Sequence, residues 1–170
     1  MPLIPQDVAA GKSNIARDLA EVVEHVSGNV ALAGGDILSN EGQVYGDVTL
    51  ASRDALTNTG LIDGDVMLGA WDTFHMGSGA VTGTITASSG DLFEFGGNFG
   101  HETIDNFTAG IGANHDSIQI AMGDFASFDA LSHSMSQVGS DVVISLGAAN
   151  SITLIGVRAS SLVSADFKLA

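Results

Sequence analysis

A five-residue stretch recurs along this chain at a nearly constant interval, and that interval restricts the fold more than any other feature. Residues 46–50 read Gly-Asp-Val-Thr-Leu, and related stretches begin at Gly28, Gly64 and Gly83. The intervals between them are 18, 18 and 19 residues. A short fixed period is typical of proteins that stack equal units along one axis. Each unit therefore predicts one coil of a parallel β-solenoid.

Within each unit the same classes of residue return in the same order. An Asp follows the five-residue stretch, a large apolar residue stands two positions later, and a glycine-containing polar turn leads to a second apolar run. Side chains alternate between the two faces of a strand, so the apolar positions should share one face. We predict an all-β, right-handed, β-roll-like solenoid with 18-residue coils and two short strands in each coil. The predicted inward-facing residues are Val30, Leu32, Leu38, Val44, Val48, Leu50, Leu56, Ile62, Val66, Leu68, Phe74 and Val81.

The two ends of the chain follow other patterns, which divide it into residues 1–27, 28–96 and 97–170. Residues 1–12 contain both prolines and should form a loose arm. From Ser13 to Gly28, apolar residues stand at helical spacing and predict an amphipathic helix. This helix would cap the open end of the stack, or pack elsewhere on the domain. Residues 97–170 should form a β-rich capping module, with a helix near 127–137 and a hairpin between strands at 142–146 and 152–155.

Charge and composition exclude several classes of protein. With 20 acidic and 5 basic residues the formal net charge is -15, so nucleic acid and anionic membrane surfaces are poor partners and a cation is a natural one. The chain has no cysteine, which excludes disulfides and thiolate metal sites. No apolar run is long enough to span a membrane, and the N-terminus does not read as a cleavable signal peptide.

The repeated aspartates are the candidate metal ligands. Asp36, Asp54, Asp72 and Asp91 take the same place in successive units. Neighbouring coils of a solenoid lie about 4.8 Å apart, so their carboxylates would repel one another unless something compensates. A bridging Ca²⁺ with oxygen ligands would do so. Alternatively, these residues are turn aspartates whose carboxylates accept backbone N–H groups while solvent screens their charge.

The C-terminal half resembles a known family. Residues 93–107, Phe-Glu-Phe-Gly-Gly-Asn-Phe-Gly-His-Glu-Thr-Ile-Asp-Asn-Phe, are similar to the segment that follows the last calcium repeats of bacterial RTX (repeats-in-toxin, haemolysin-type calcium-binding) proteins. The ending from Leu162 to Phe167 resembles the target region that type I secretion systems read. The resemblance implies calcium binding, with Asp105 and Asp116 as further ligands. It also implies a secreted, extracellular bacterial protein exported through an uncleaved C-terminal signal.

These observations predict a non-catalytic, secreted, calcium-binding structural or adhesive protein, or the C-terminal module of one. Its partners would be the type I secretion machinery and, outside the cell, further copies of itself or a cell-surface polysaccharide. Two alternatives remain: a small β-helical enzyme acting on polysaccharides, as a lyase or epimerase, and a solenoid that assembles end to end. Trp71 is expected in an exposed turn, either as an ordinary turn residue or as a contact for a sugar or partner.

Overall fold

Three β-sheets, parallel except for the antiparallel strands that end the first, wrap around one core in the computed structural model, which describes residues 14–16, 19–22, 25–120 and 125–169. The first sheet contains, in spatial order, β1 (Asn14–Ala16), β4 (Val30–Leu32), β7 (Val48–Thr49), β10 (Val66–Met67), β13 (Ile85–Thr86), β15 (His101–Asp105), β19 (Ser151–Leu154), β18 (Asp141–Ser145) and β17 (Met135–Val138). The second contains β2 (Leu19–Val22), β5 (Ile37–Asn40), β8 (Ala55–Asn58), β11 (Thr73–Met76), β14 (Leu92–Phe95), β16 (Ser117–Ile120) and β20 (Phe167–Leu169). The third contains β3 (His25–Ser27), β6 (Gln43–Tyr45), β9 (Leu61–Ile62) and β12 (Ala80–Val81).

The chain visits the three sheets in turn, so each full circuit is one coil of a parallel β-solenoid, as the repeat predicts. The register follows the 18-residue period: Val30 pairs with Val48, Leu38 with Leu56, and Val44 with Ile62. The number of strands in a coil differs from the prediction, because three are present rather than two. The turn that contains the repeated Asp separates two strands, such as β4 and β5, that the prediction had treated as one continuous strand.

The core of the stack consists of the residues that the alternation assigns to the inner face. Every residue predicted to face inward is buried, with at most 7% of its surface exposed. The same columns continue toward the C-terminus, where Phe74, Phe93 and Ile118 align on β11, β14 and β16. One apolar core therefore runs from the repeats into the C-terminal part of the chain.

The N-terminal segment forms strands, and the predicted capping helix is wrong. Strands β1, β2 and β3 add a further coil, in which Leu19 pairs with Ile37 and His25 pairs with Gln43, both 18 residues ahead. An apolar pattern of this length fits either an amphipathic helix or one coil of the solenoid. In the solenoid coil, pairing with the neighbouring coil satisfies the backbone N–H and C=O groups that a helix would satisfy internally. The predicted arm at residues 1–12 lies outside the described residues.

The C-terminal part continues the stack and adds a hairpin. The first two sheets run past residue 96, whereas the third ends at β12. The predicted helix is confirmed but short: α1 spans Phe128–Ser132, begins after the N-cap Ser127, and gives way to β17. The predicted hairpin is present as antiparallel β18 and β19. Two 3-10 turns, Ala159–Ser161 and Ser164–Asp166, lead to β20.

Candidate functional site

One row of aspartates connects consecutive coils at the corner between the first and second sheets. We call Asp36, Asp54, Asp72, Asp91 and Asp116 the aspartate ladder. The backbone N–H of each of the first four members donates to the Oδ1 of the member on the next coil, at N···O distances of 2.8, 2.8, 2.9 and 2.8 Å along the row. Each of these hydrogen bonds therefore joins two coils.

The second oxygen of each carboxylate closes the turn of its own coil. In four members, Oδ2 accepts the N–H of the residue three positions earlier, with N···O distances between 2.7 and 2.9 Å; the donors are Ala33, Ala51, Gly69 and Ser88. In Asp116 the corresponding donor is Thr108. One side chain thus satisfies two backbone donors that a sharp corner leaves without strand partners.

The ladder is buried. Its members expose between 0 and 6% of their surface. Burial raises the pKa of Asp72, Asp91 and Asp116 above the usual value, and the backbone N–H groups that donate to these carboxylates lower it in part. Neighbouring ladder carboxylates contribute a smaller upward effect on the pKa of Asp72 and Asp91. The backbone N–H groups therefore offset the cost of burying a row of carboxylates close to one another.

The ladder does not fit a calcium site. Ca²⁺ is held by six to eight converging oxygen ligands. Here both oxygens of the carboxylates of Asp54, Asp72, Asp91 and Asp116 accept backbone N–H groups, and these four side chains are at most 2% exposed. Within the part of the chain that the structure describes, no three acidic, histidine or cysteine side chains come together as a metal site.

The remaining predicted ligand, Asp105, stands apart from the ladder. It is exposed at the end of β15, and its Oδ1 accepts the N–H of the adjacent Asn106 at 2.8 Å. The structure therefore brings five of the six predicted ligands into one row and leaves Asp105 outside it. Calcium binding by this chain stays a prediction, and the ladder carboxylates act as acceptors for backbone donors.

A second, more exposed row links the stretches that define the repeat. Asp47 accepts the N–H of Asp65 at 3.0 Å, and Asp65 accepts the N–H of Thr84 at 2.8 Å. In this row each carboxylate reaches toward the following coil, whereas in the ladder each reaches toward the preceding one. The two rows therefore tie every repeated coil in both directions.

Asp166 has the role of a ladder aspartate in the last coil, and the sequence prediction missed it. The residue is fully buried; its Oδ1 accepts the N–H of Gly110 at 2.7 Å and its Oδ2 accepts that of Val163 at 2.8 Å. The available signal was its position directly before the apolar strand β20, which matches the position of the ladder aspartates before their strands.

Glu102, on β15 of the first sheet, accepts a donor at the open edge of the third sheet, and the sequence prediction also missed it. Only 3% of its surface is exposed, its carboxylate accepts the backbone N–H of Val81 on the last strand of that sheet, and its Oε2 has no hydrogen-bond partner. Burial raises the pKa of Glu102 from 4.5 to about 7, against the smaller lowering effect of the Val81 N–H. Strand alternation places Glu102 on the same face as the buried Ile104, which was the signal available in the sequence.

We expect Glu102→Gln to change how the stability of the protein depends on pH. The folded-state pKa lies above that of the unfolded chain, so the stabilising contribution of Glu102 is complete below about pH 4.5 and is lost as the pH rises through 7. Between pH 4.5 and 8 the free energy of unfolding of the Gln variant should therefore rise relative to wild type by up to roughly 3 kcal/mol. Urea unfolding at both pH values measures this difference.

The matched control is Glu41→Gln, which removes one carboxylate from an exposed turn. Its free energy of unfolding relative to wild type should change little between the same two pH values. Equal pH dependence in the Glu102 and Glu41 variants would contradict the assignment of Glu102 as a buried carboxyl that holds its proton near neutral pH.

A polar cavity of about 220 Å³ opens at the turn between β17 and β18, away from the ladder. It is lined by Gln137, Gly139, Ser140, Gly156, Arg158 and Ser160. Gln137 holds this region together, because its Oε1 accepts the N–H of Ala159 at 2.8 Å and its Nε2 donates to the carbonyl of Asp141 at 2.9 Å. Arg158 is the one charged side chain in the lining.

The fold and the ladder define this chain as a parallel β-solenoid protein, in agreement with the architecture that the RTX resemblance implies. No family model matches the sequence, and no curated protein matches it. Among solved structures the chain is similar to the extracellular lipase LipA from Serratia marcescens, with a TM-score of 0.42 and 14% sequence identity over 96% of this chain. The chain spans 41% of the lipase chain.

This comparison contradicts one prediction. We expected a non-catalytic protein, whereas the solved structure to which the chain is similar is that of an enzyme. We therefore do not retain the absence of catalysis as a property of this protein. At this identity and coverage, the lipase activity and its active site are not transferred to this chain. No helix within the described residues is long and apolar enough to cross a membrane.

Proposed function

We propose that this chain is an RTX-like β-solenoid module of a secreted protein, exported through its C-terminal segment by a type I secretion system. Outside the cell the stack would serve as a rigid structural or adhesive element. The observation that carries the proposal is the position of the C-terminal segment in the last coil. Strand β20 pairs with β16, Phe167 is buried, and Asp166 accepts two backbone N–H groups.

The packing of this segment has a consequence for export. The ring of Phe167 stacks on that of Phe128 in α1, with centroids 5.6 Å apart, and Leu162 is buried nearby in the same part of the core. A secretion machine cannot read residues that are held in this core. The proposed signal would therefore be accessible before the last coil forms, and folding would follow export.

Removing residues 162–170 should abolish export. We expect wild-type protein in the culture medium when it is co-expressed with a type I secretion apparatus, and the truncated protein in the cells. The extracellular fraction, measured by immunoblot at equal total expression, should fall by at least tenfold. Export of the truncated protein at the wild-type level would contradict the proposal.

The truncation also weakens the fold, so a destabilised variant with an intact C-terminus is the matched control. Asp54→Ala removes a ladder carboxylate on a distant coil and leaves residues 162–170 unchanged. If the signal is read in the unfolded chain, this variant should be exported at close to the wild-type level. Loss of export in both variants would attribute the effect to folding and contradict the assignment of the signal.

A further inference from the structure

The residue before each ladder aspartate adopts one unusual backbone conformation in four consecutive coils. Its φ angle is positive each time: 88° at Gly35, 61° at Arg53, 65° at Trp71 and 75° at Gly90. The backbone N–H of each donates to a carbonyl on the next coil, at distances between 2.9 and 3.1 Å. The corner of the solenoid therefore imposes this conformation, whatever side chain is present.

Glycine is the residue that this conformation favours, and two coils do not use it. A left-handed backbone costs a non-glycine residue about 1 kcal/mol, and such strain is concentrated at functional sites. Arg53 and Trp71 accept this cost on adjacent coils, between two coils that have glycine at the same place. Their side chains are not needed for the turn itself.

The indole of Trp71 has one supported face and one open face. Its six-membered ring lies against Gly90, where a Cβ atom would come within 2.5 Å of Cε3, so the glycine makes room for the ring. The side chain is nevertheless 47% exposed. The result is a flat apolar platform at the surface of the stack, held in place by the backbone of the next coil.

Arg53 stands beside this platform. Positions in register on adjacent coils lie about 4.8 Å apart, which places the two Cα atoms at that spacing. Arg53 is exposed and forms no ion pair with any residue that the structure describes. The chain has only 5 basic residues among 170, so an exposed arginine in register with the exposed tryptophan of the next coil is a specific feature of this corner.

We propose that Trp71 and Arg53 form a binding site for a glycan that contains uronic acid. A sugar ring stacks its apolar face on the open face of the indole, and the uronate carboxylate accepts hydrogen bonds from the guanidinium fork, whose geometry matches a carboxylate. Tryptophan and arginine are also the side chains that most often dominate binding energies at interfaces. This site does not depend on the route by which the protein is exported.

The overall charge of the protein opposes an anionic ligand at long range. At 0.15 M salt the field of the formal net charge of -15 is screened beyond about 8 Å, whereas a direct contact with Arg53 persists. Binding should therefore be measured at this ionic strength, with a short oligosaccharide that remains within the Trp71–Arg53 corner.

Trp71 is the only tryptophan of the chain, so its fluorescence reports on the site directly. We expect a saturable change in emission on titration with a tetramer of galacturonic acid, and no saturable change with a neutral glucose tetramer. The absence of a saturable change with the galacturonic acid tetramer would overturn the proposal. Equal affinity for the neutral tetramer would overturn the assignment of Arg53 as a carboxylate ligand.

Two glycine substitutions separate binding from folding. Arg53→Gly relieves the left-handed strain, so its melting temperature should equal or exceed that of wild type, while its affinity for the galacturonic acid tetramer should fall at least tenfold. Trp71→Gly has no tryptophan signal, so its binding is measured by titration calorimetry; it should lose binding and remain folded. Lys168→Gln, which removes a cation from the exposed face of β20, should bind as wild type does. Wild-type affinity in either glycine variant would contradict the site.

Discussion

Gly69→Ala should destabilise this protein more than alanine at any other glycine for which the structure defines the surroundings. A Cβ atom at residue 69 would lie 1.1 Å from the carbonyl oxygen of Ala51 on the preceding coil. The clashing atom belongs to the backbone, so no change of rotamer relieves the overlap, and the two coils must separate locally. The N–H of Gly69 also donates to Asp72 in the ladder, so that separation disturbs the ladder as well.

We expect the free energy of unfolding to fall by at least about 3 kcal/mol, at the upper end of the usual cost of overpacking. For a chain of this size that corresponds to a decrease of roughly 6 to 12 °C in melting temperature. Gly112→Ala is the matched control, because no atom lies within 4 Å of its Cβ position. A melting temperature of Gly69→Ala equal to that of the control would contradict the close stacking of coils at this corner.

Asp54→Ala should have an effect of similar size through a different cause. The substitution removes the acceptor of the Ala51 N–H in the same turn, and it leaves the Asp36 N–H on the preceding coil with only the longer bond to the carbonyl of Ala33, at 3.2 Å. A donor left unsatisfied costs about 1 to 3 kcal/mol and a lost hydrogen bond about 1 kcal/mol, so the total loss should be about 2 to 4 kcal/mol. Urea unfolding of the purified variant measures it.

The control for this variant removes an aspartate that has no buried donors to satisfy. Asp129→Ala lies on the exposed face of α1 and changes the net charge by the same amount. Its free energy of unfolding should remain within about 0.5 kcal/mol of wild type, as is usual for surface substitutions. If Asp54→Ala were no more destabilised than Asp129→Ala, the ladder carboxylate would not be a structural acceptor.

The parts of the fold that follow from local alternation and period could be predicted from the sequence. The inward-facing residues, the 18-residue register and the row of repeated aspartates all depend on spacing along the chain, which the sequence displays directly. The hairpin of β18 and β19 was predictable for the same reason, because two apolar runs flank one short turn that contains Gly147 and Asn150.

The parts that depend on contacts distant in sequence were not predictable in this way. The residues from Ser13 to Gly28 have an apolar pattern that is compatible with a helix and with a coil of the solenoid. The pairing of β2 with β5 decides between the two. The choice between calcium and backbone donors at the ladder was also left open. It depends on where the carboxylate oxygens point, and a one-dimensional pattern contains no such information.

The role of Glu102, which the sequence did not reveal, and the support of the Trp71 ring have the same explanation. Glu102 matters because the third sheet ends at β12 and leaves the N–H of Val81 for a side chain to satisfy. The platform at Trp71 exists because the next coil has Gly90 underneath the ring. Neither relationship is visible until the coils are stacked in register.

Backbone donors, rather than a bound metal, hold the aspartate ladder together. The most direct test is the melting temperature of wild type and of Asp54→Ala, each measured in excess chelator and in millimolar calcium. We expect the loss of melting temperature on substitution to be the same in both conditions, whatever calcium does to the wild-type value. A wild-type melting temperature that rises by more than about 5 °C with calcium, together with a loss on substitution that appears only when calcium is present, would contradict this expectation.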